Sequence, residues 1–184
     1  SIVGSQELVD LCTGKIGCWM ITQPDKGSDV QVFDMAREWA PGQQGNKGNV
    51  WGRIQGDEIV INGQCSAWVS NGAVAQVALG YISAEYDGSF FEKDGRPHGM
   101  SVIIPLDFPG VSKGKPLDKL GQRALPQGEI YFDNVRVPKR FAVALRHEYS
   151  AWIVLGALLT TKACDIGAYF TGRAIGRHKL IPWL

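Results

Sequence analysis

The 184-residue sequence has no excess of either charge, no paired cysteine motif and no apolar run long enough to cross a bilayer. Lys and Arg number 19 against 18 Asp and Glu, a formal net charge of +1, which offers no electrostatic footprint for nucleic acid or an anionic membrane. The four cysteines (Cys12, Cys18, Cys65, Cys164) form no C-x-x-C pair, and no histidine stands close enough in sequence to complete a zinc site. Buried, reduced thiols of a cytoplasmic protein are therefore expected, and no metal. The apolar stretch around residues 152–159 falls well short of the ~20 residues a spanning helix needs. Residues 1–16 lack the basic region and apolar run of a secretory leader, and no repeat of solenoid length is visible. The expectation is a soluble cytoplasmic protein with no nucleic-acid partner and no membrane span.

What is present is ordinary globular material, 45% hydrophobic and 20% charged, with 23 glycines gathered near turn signals. The sequence does not start with methionine. It opens on what reads as the tail of a helix, residues 6–13, and stops at residues 181–184 as a helical pattern ends, so a fragment is expected. Three parts are expected: residues 1–13 as the end of an N-terminal helical region, 14–140 as a β-rich domain, and 141–184 as the start of a C-terminal helical domain.

Residues 15–22 form an apolar run that reads as a buried strand, stopped by the turn chemistry of Pro24, Gly27, Ser28 and Asp29. Residues 40–49, rich in Gly, Gln and Asn, read as a surface loop, and so do residues 90–99. Residues 50–55 and 58–62, flanking Gly56-Asp57, spell a β-hairpin. Further strands are expected at 68–69, 74–81, 100–105 and 130–137. Six or seven short strands with Gly and Pro between them suggest an antiparallel β-barrel or sandwich. Residues 149–174 change character: without proline, and with apolar residues at helical spacing, they predict a long α-helix from a bundle.

Three segments carry a family resemblance. The run Trp19-Met20-Ile21-Thr22-Gln23-Pro24-Asp25-Lys26-Gly27-Ser28-Asp29 is similar to T-E-P-x-x-G-S-D, and residues 56–63 with Ala67-Trp68-Val69-Ser70-Asn71-Gly72 are similar to G-D-x-y-x-x-N-G followed by W-I-T-N-G. Leu120-Gly121-Gln122-Arg123, with residues 130–138, is similar to M-G-x-R and F-x-x-V-x-V-P. In this order and spacing, over roughly residues 17–138, the chain resembles the acyl-CoA dehydrogenase family, and its middle β-domain in particular. The resemblance implies FAD bound across a subunit interface in a homodimer or homotetramer. It also implies oxidation of an acyl-CoA thioester to the 2,3-enoyl product, with a glutamate taking the α-proton as a β-hydride passes to the flavin. An electron-transferring flavoprotein is the implied acceptor; an acyl-CoA oxidase, a flavin-dependent monooxygenase or a non-catalytic binding module are the alternatives.

By this resemblance, Trp19, Ile21, Thr22, Gly27, Ser28, Trp68, Val69 and Ser70 bind the cofactor, and Ser28 also faces the CoA side. A tryptophan offers a broad apolar wall for a fused heterocycle, and a hydroxyl can stabilise charge that builds on it. Plainer readings stand beside these: Thr22 capping the Pro24 turn, Gly27-Ser28 as an ordinary loop, Trp68 as core. Arg123 is open between a phosphate or interface carboxylate and a structural ion pair, and His98, His147 and His178 read as surface histidines. Gln23 stands where the family usually has Glu. The base is expected outside this chain, since residues 157–162 hold no acid and Asp165 is a poor candidate.

Overall fold

The computed structural model describes residues 6–24, 42–43, 45–95 and 97–143. The chain divides into two units, Ser1–Ala144 and Leu145–Leu184, and the described residues all belong to the first. The expected helix over 149–174 lies outside the described residues, as do His147, His178 and Cys164.

Helix α1 (Gln6–Cys12) presents Leu8 to the core and carries Glu7 in its first turn, where a carboxylate suits the helix dipole. Strand β1 (Gly17–Met20) is shorter than the run that predicted it and alternates, with Cys18 and Met20 inward and Trp19 outward. The segment expected as a loop at 40–49 contains a small ribbon, β2 (Gly42–Gln43) paired with β3 (Asn46–Lys47). The predicted hairpin forms as β4 (Val50–Gln55) and β5 (Glu58–Gln64), closed by the Gln55–Glu58 pair. In its two-residue loop only Gly56 has positive φ, the arrangement of a type II′ turn.

Strands β6 (Val77–Glu85), β7 (Gly99–Pro105), β8 (Val111–Lys113) and β9 (Ile130–Pro138) follow, then a 3₁₀ turn (Lys139–Phe141) and β10 (Ala142–Val143). Eight of these strands share a sheet in the order β10-β7-β6-β4-β5-β9-β8, with β1 added on β6. The sheet is mixed, not purely antiparallel. One edge of β6 is divided between two parallel partners, β1 along Val77–Gly80 and β4 along Ser83–Glu85, while its other edge runs antiparallel to β7. Parallel pairing joins strands distant in sequence, so no local turn announces it. The expected strand at 68–69 is instead a turn followed by an isolated bridge, Ser70 to Gln127.

The core is aliphatic: Ile59, Ile61, Ile82, Ile104 and Ile130 are fully buried with Val50, Val69, Val102, Val135 and Val137. Each such side chain contributes roughly 1.5–3 kcal/mol on leaving water. Cys18 and Cys65 are buried and unpaired, and Cys12 is half-buried. Burial pushes the Cys18 thiol up to about 11 and the Cys65 thiol up to about 12. No helix among the described residues is long and apolar enough to cross a membrane.

Candidate functional site

Two stretches far apart in sequence are sewn side by side: β1 with its continuation to Pro24, and the connection that leaves β5. The Ser66 N–H donates to the Thr22 carbonyl at 3.1 Å, and the Thr22 and Ser66 hydroxyls hydrogen-bond at 2.5 Å. Ser66 Oγ also accepts the Trp68 N–H at 3.2 Å. Three residues on, Asn71 Nδ2 reaches the Gly17 carbonyl at 3.4 Å. The sewing is local backbone chemistry, made by short hydroxyl and amide side chains that hydrogen-bond main chain near the strand ends.

Between these ties the chain places Trp68 outward (65% exposed), Val69 in the core and Ser70 outward. Val69 is held by its own burial, and its carbonyl accepts from Gly72 and Gly128. A second brace comes from the far side. Gln127 Nε2 donates to the Trp68 carbonyl at 3.0 Å, and Lys119 Nζ donates to Gln127 Oε1 at 3.0 Å and to the Leu125 carbonyl at 2.7 Å. Trp68 thus exposes a large aromatic ring from a backbone bonded at its N–H to Ser66 and at its carbonyl to Gln127.

Trp19 is also exposed, at 53%, with its ring 5.9 Å from that of Tyr81 and tilted at 59°. Burial raises the Tyr81 phenol above its ordinary value, against a hydrogen bond from Trp19 that lowers it. Ile21 and Thr22 are half-buried. Gln23 is buried, and its Oε1 accepts the N–H groups of Asn49 and Val50, the latter at 3.3 Å. It thereby ties the turn after Thr22 to the start of β4. Gly27 and Ser28 lie outside the described residues.

Other polar residues pair locally. Arg123 pairs within its own loop, Nη2 to Asp118 Oδ1 at 2.6 Å and Nε to the Lys119 carbonyl at 2.7 Å, with Arg123 and Asp118 both well exposed. His98 is half-buried and set edge-on to Tyr86 with centroids 5.2 Å apart, where a solvated histidine was expected. Among the described residues no group of three His, Cys, Asp or Glu side chains is arranged to hold a metal ion. A groove of about 370 Å³ lined by Leu8, Val9, Cys12, Thr13 and Ile103 shares no residue with the Thr22–Trp68 site.

The sequence reading missed Ser66 and Gln127. A buried serine in an apolar stretch is the one sign Ser66 offered. Gln127 offered none, because its role depends on a loop returning from more than fifty residues away.

Exposed indoles (Trp19, Trp68) and neutral hydroxyls (half-buried Thr22, exposed Ser70) are the side-chain types that suit a planar group, apolar over its face and with hydrogen-bond acceptors at its rim, such as a flavin ring.

Residues 18–135 match the family model described as acyl-CoA dehydrogenase, middle domain. Glutaryl-CoA dehydrogenase of Desulfococcus multivorans is 35% identical over 149 residues, covering 80% of this chain and 32% of that one. A solved glutaryl-coenzyme A dehydrogenase–glutaryl-CoA complex is 31% identical with a TM-score of 0.52, over 77% of this chain and 30% of that one. A glutaryl-CoA dehydrogenase of Mycobacterium smegmatis, solved in complex with FADH2, is 25% identical with a TM-score of 0.54, over 76% of this chain and 31% of that one. The chain spans about a third of the length of these relatives.

Proposed function

The chain belongs to the acyl-CoA dehydrogenase family, and on that premise we propose that its β-rich part, residues 14–140, cradles FAD for the oxidation of an acyl-CoA thioester to the 2,3-enoyl-CoA. The observation that carries this reading is the outward Trp68–Ser70 pair, braced from both sides and joined through Ser66 to Thr22. FAD, when bound, supplies the acceptor for the hydride leaving the acyl β-carbon.

The chain's own residues bind and orient. Trp68 and Trp19 give the apolar wall and exclude water. Thr22 and Ser70 offer hydroxyls at the ring's rim, where a hydrogen bond to a developing charge is worth more than in water once the bound ring and the indoles exclude solvent. Ile21 and Val69 contribute backbone groups, and Gly27 and Ser28, small residues that admit close approach, meet a phosphate, with Ser28 also on the CoA side. The proton-abstracting base is a residue outside this β-rich part. The protein works as a homodimer or homotetramer in the cytoplasm and passes electrons to an electron-transferring flavoprotein.

The test is the visible spectrum of the purified complete protein, followed by anaerobic addition of acyl-CoA thioesters that include glutaryl-CoA and butyryl-CoA. Bleaching of a flavin band by one thioester is the expected result and identifies the acyl group. A protein that stays colourless after incubation with FAD sinks the proposal. Oxygen consumption on substrate addition would replace the dehydrogenase with an oxidase.

A further inference from the structure

Resting on the FAD reading above, we infer that Ser66 is a positioning residue: it donates its hydroxyl proton to Thr22 and so leaves the Thr22 proton to be donated outward, to the cofactor.

A serine hydroxyl has one proton to give and two lone pairs to accept with. Ser66 is 6% exposed, so water does not complete its bonding. One lone pair takes the Trp68 N–H at 3.2 Å. The 2.5 Å contact with Thr22 Oγ1 requires one hydroxyl to donate and the other to accept. If Thr22 donated, Ser66 would hold two incoming protons while its own buried proton met no acceptor among the described residues. Buried hydroxyl protons seldom stay unpaired. With Ser66 as donor its hydroxyl is fully used, and among the described residues the hydroxyl proton left without a partner is that of the half-buried Thr22.

The main chain reinforces this choice. The Ser66 N–H to Thr22 carbonyl bond, at 3.1 Å, runs parallel to the hydroxyl bond and makes a two-point clamp. A β-branched side chain held at both its carbonyl and its hydroxyl has little χ1 freedom left. Thr22 is thus presented as an oriented donor, which is what ring nitrogens and carbonyl oxygens of a flavin require. Ser66 touches no part of that surface itself and acts through Thr22.

The experiment is a double-mutant cycle in the complete protein, with Ser66→Ala, Thr22→Val and the pair, read by FAD dissociation constant, by the flavin absorption maxima, and by thermal unfolding of the apo-protein. Ser66→Ala is expected to weaken FAD binding about fivefold to tenfold, the effect of losing one neutral hydrogen bond, and to shift the absorption maxima. In the Thr22→Val background the same change should cost no further affinity. Wild-type affinity in Ser66→Ala, or losses that multiply independently in the pair, would overturn the inference while leaving the FAD reading intact. A wild-type protein that binds no FAD would overturn the FAD reading and this inference with it. Should Ser66→Ala fail to fold, Ser66→Cys keeps the volume with a weaker donor and serves in the same cycle.

Discussion

The side-chain amide of Gln23 fills the space beside Gly48: a Cβ built on Gly48 would lie 2.5 Å from Gln23 Oε1 and 2.7 Å from Nε2. Gly48 and Gln23 are therefore one packing unit, bonded to the start of β4 through Asn49 and Val50 and to β6 through the Gly48 N–H, which donates to Ser83 Oγ at 2.9 Å.

Gly48→Ala should destabilise by about 2 kcal/mol, because a buried amide must leave two backbone donors to admit one methyl. Gln23→Ala should cost about as much by stranding the same donors. Urea midpoints of the two variants and of the pair will show the coupling: the double variant should lose much less than the sum.

Gly63 stands at the bulge where β5 shifts register against β9, with φ at 116°. A Cβ there would lie 1.8 Å from the Asn49 carbonyl oxygen. Gly63→Ala combines a forbidden backbone conformation with a collision against main chain, and should cost upward of about 4 kcal/mol. Loss of the cooperative unfolding transition in circular dichroism is the expected outcome.

Trp68 and Val69 are neighbours with opposite duties. Val69→Ala removes buried methyl groups and should lower stability by about 2 kcal/mol. Trp68→Ala, at a site 65% exposed, should change stability by less than about 0.5 kcal/mol yet weaken FAD binding at least tenfold. Apo-protein melting and a flavin titration separate the two; a Trp68→Ala protein that binds FAD normally would remove Trp68 from the site.

Glu7 on α1 and Arg140 in the 3₁₀ turn form a two-point ion pair, both contacts at 2.7 Å, across 133 residues of sequence. The Arg140 hydrogen bonds hold the Glu7 carboxyl below its ordinary 4.5. A carboxyl depressed on folding adds stability above its unfolded value and loses it as pH falls through the folded one. Glu7→Gln should therefore lower the urea midpoint slightly at pH 7, and the difference from wild type should shrink steadily as pH drops below 4.5. Both groups are exposed, so the effect should also fade in high salt.

The buried thiols act in the opposite direction. Cys18 and Cys65, raised from 9.0 to about 11 and about 12, stay protonated in the folded chain at pH values where the unfolded chain ionises. Their burial contributes its full stability below pH 9.0, and stability should fall as pH rises through the window from there to about 11–12. Iodoacetamide at pH 8 should leave both unmodified until urea is added.

Sequence alone determined the family, the β-rich character and the hairpin at Gly56-Asp57, because these rest on residues adjacent in the chain: turn glycines, alternating strands, short motifs. By resemblance it also pointed to Thr22, Trp68 and Ser70 as flavin contacts, which the Trp68→Ala titration and the Thr22→Val cycle test. Three things were decided only by tertiary structure. The parallel partners of β6 come from strands up to sixty residues away, with no local turn to mark them. The segment after β5 proved a braced turn, because its backbone is bonded to Thr22, Gly128 and Gln127 instead of to a neighbouring strand along its length. The partners of the site residues, Ser66 and Gln127, are ordinary polar residues in sequence. Folding alone makes them specific, since a hydrogen bond needs its two groups within about 3 Å and composition carries no information on that distance.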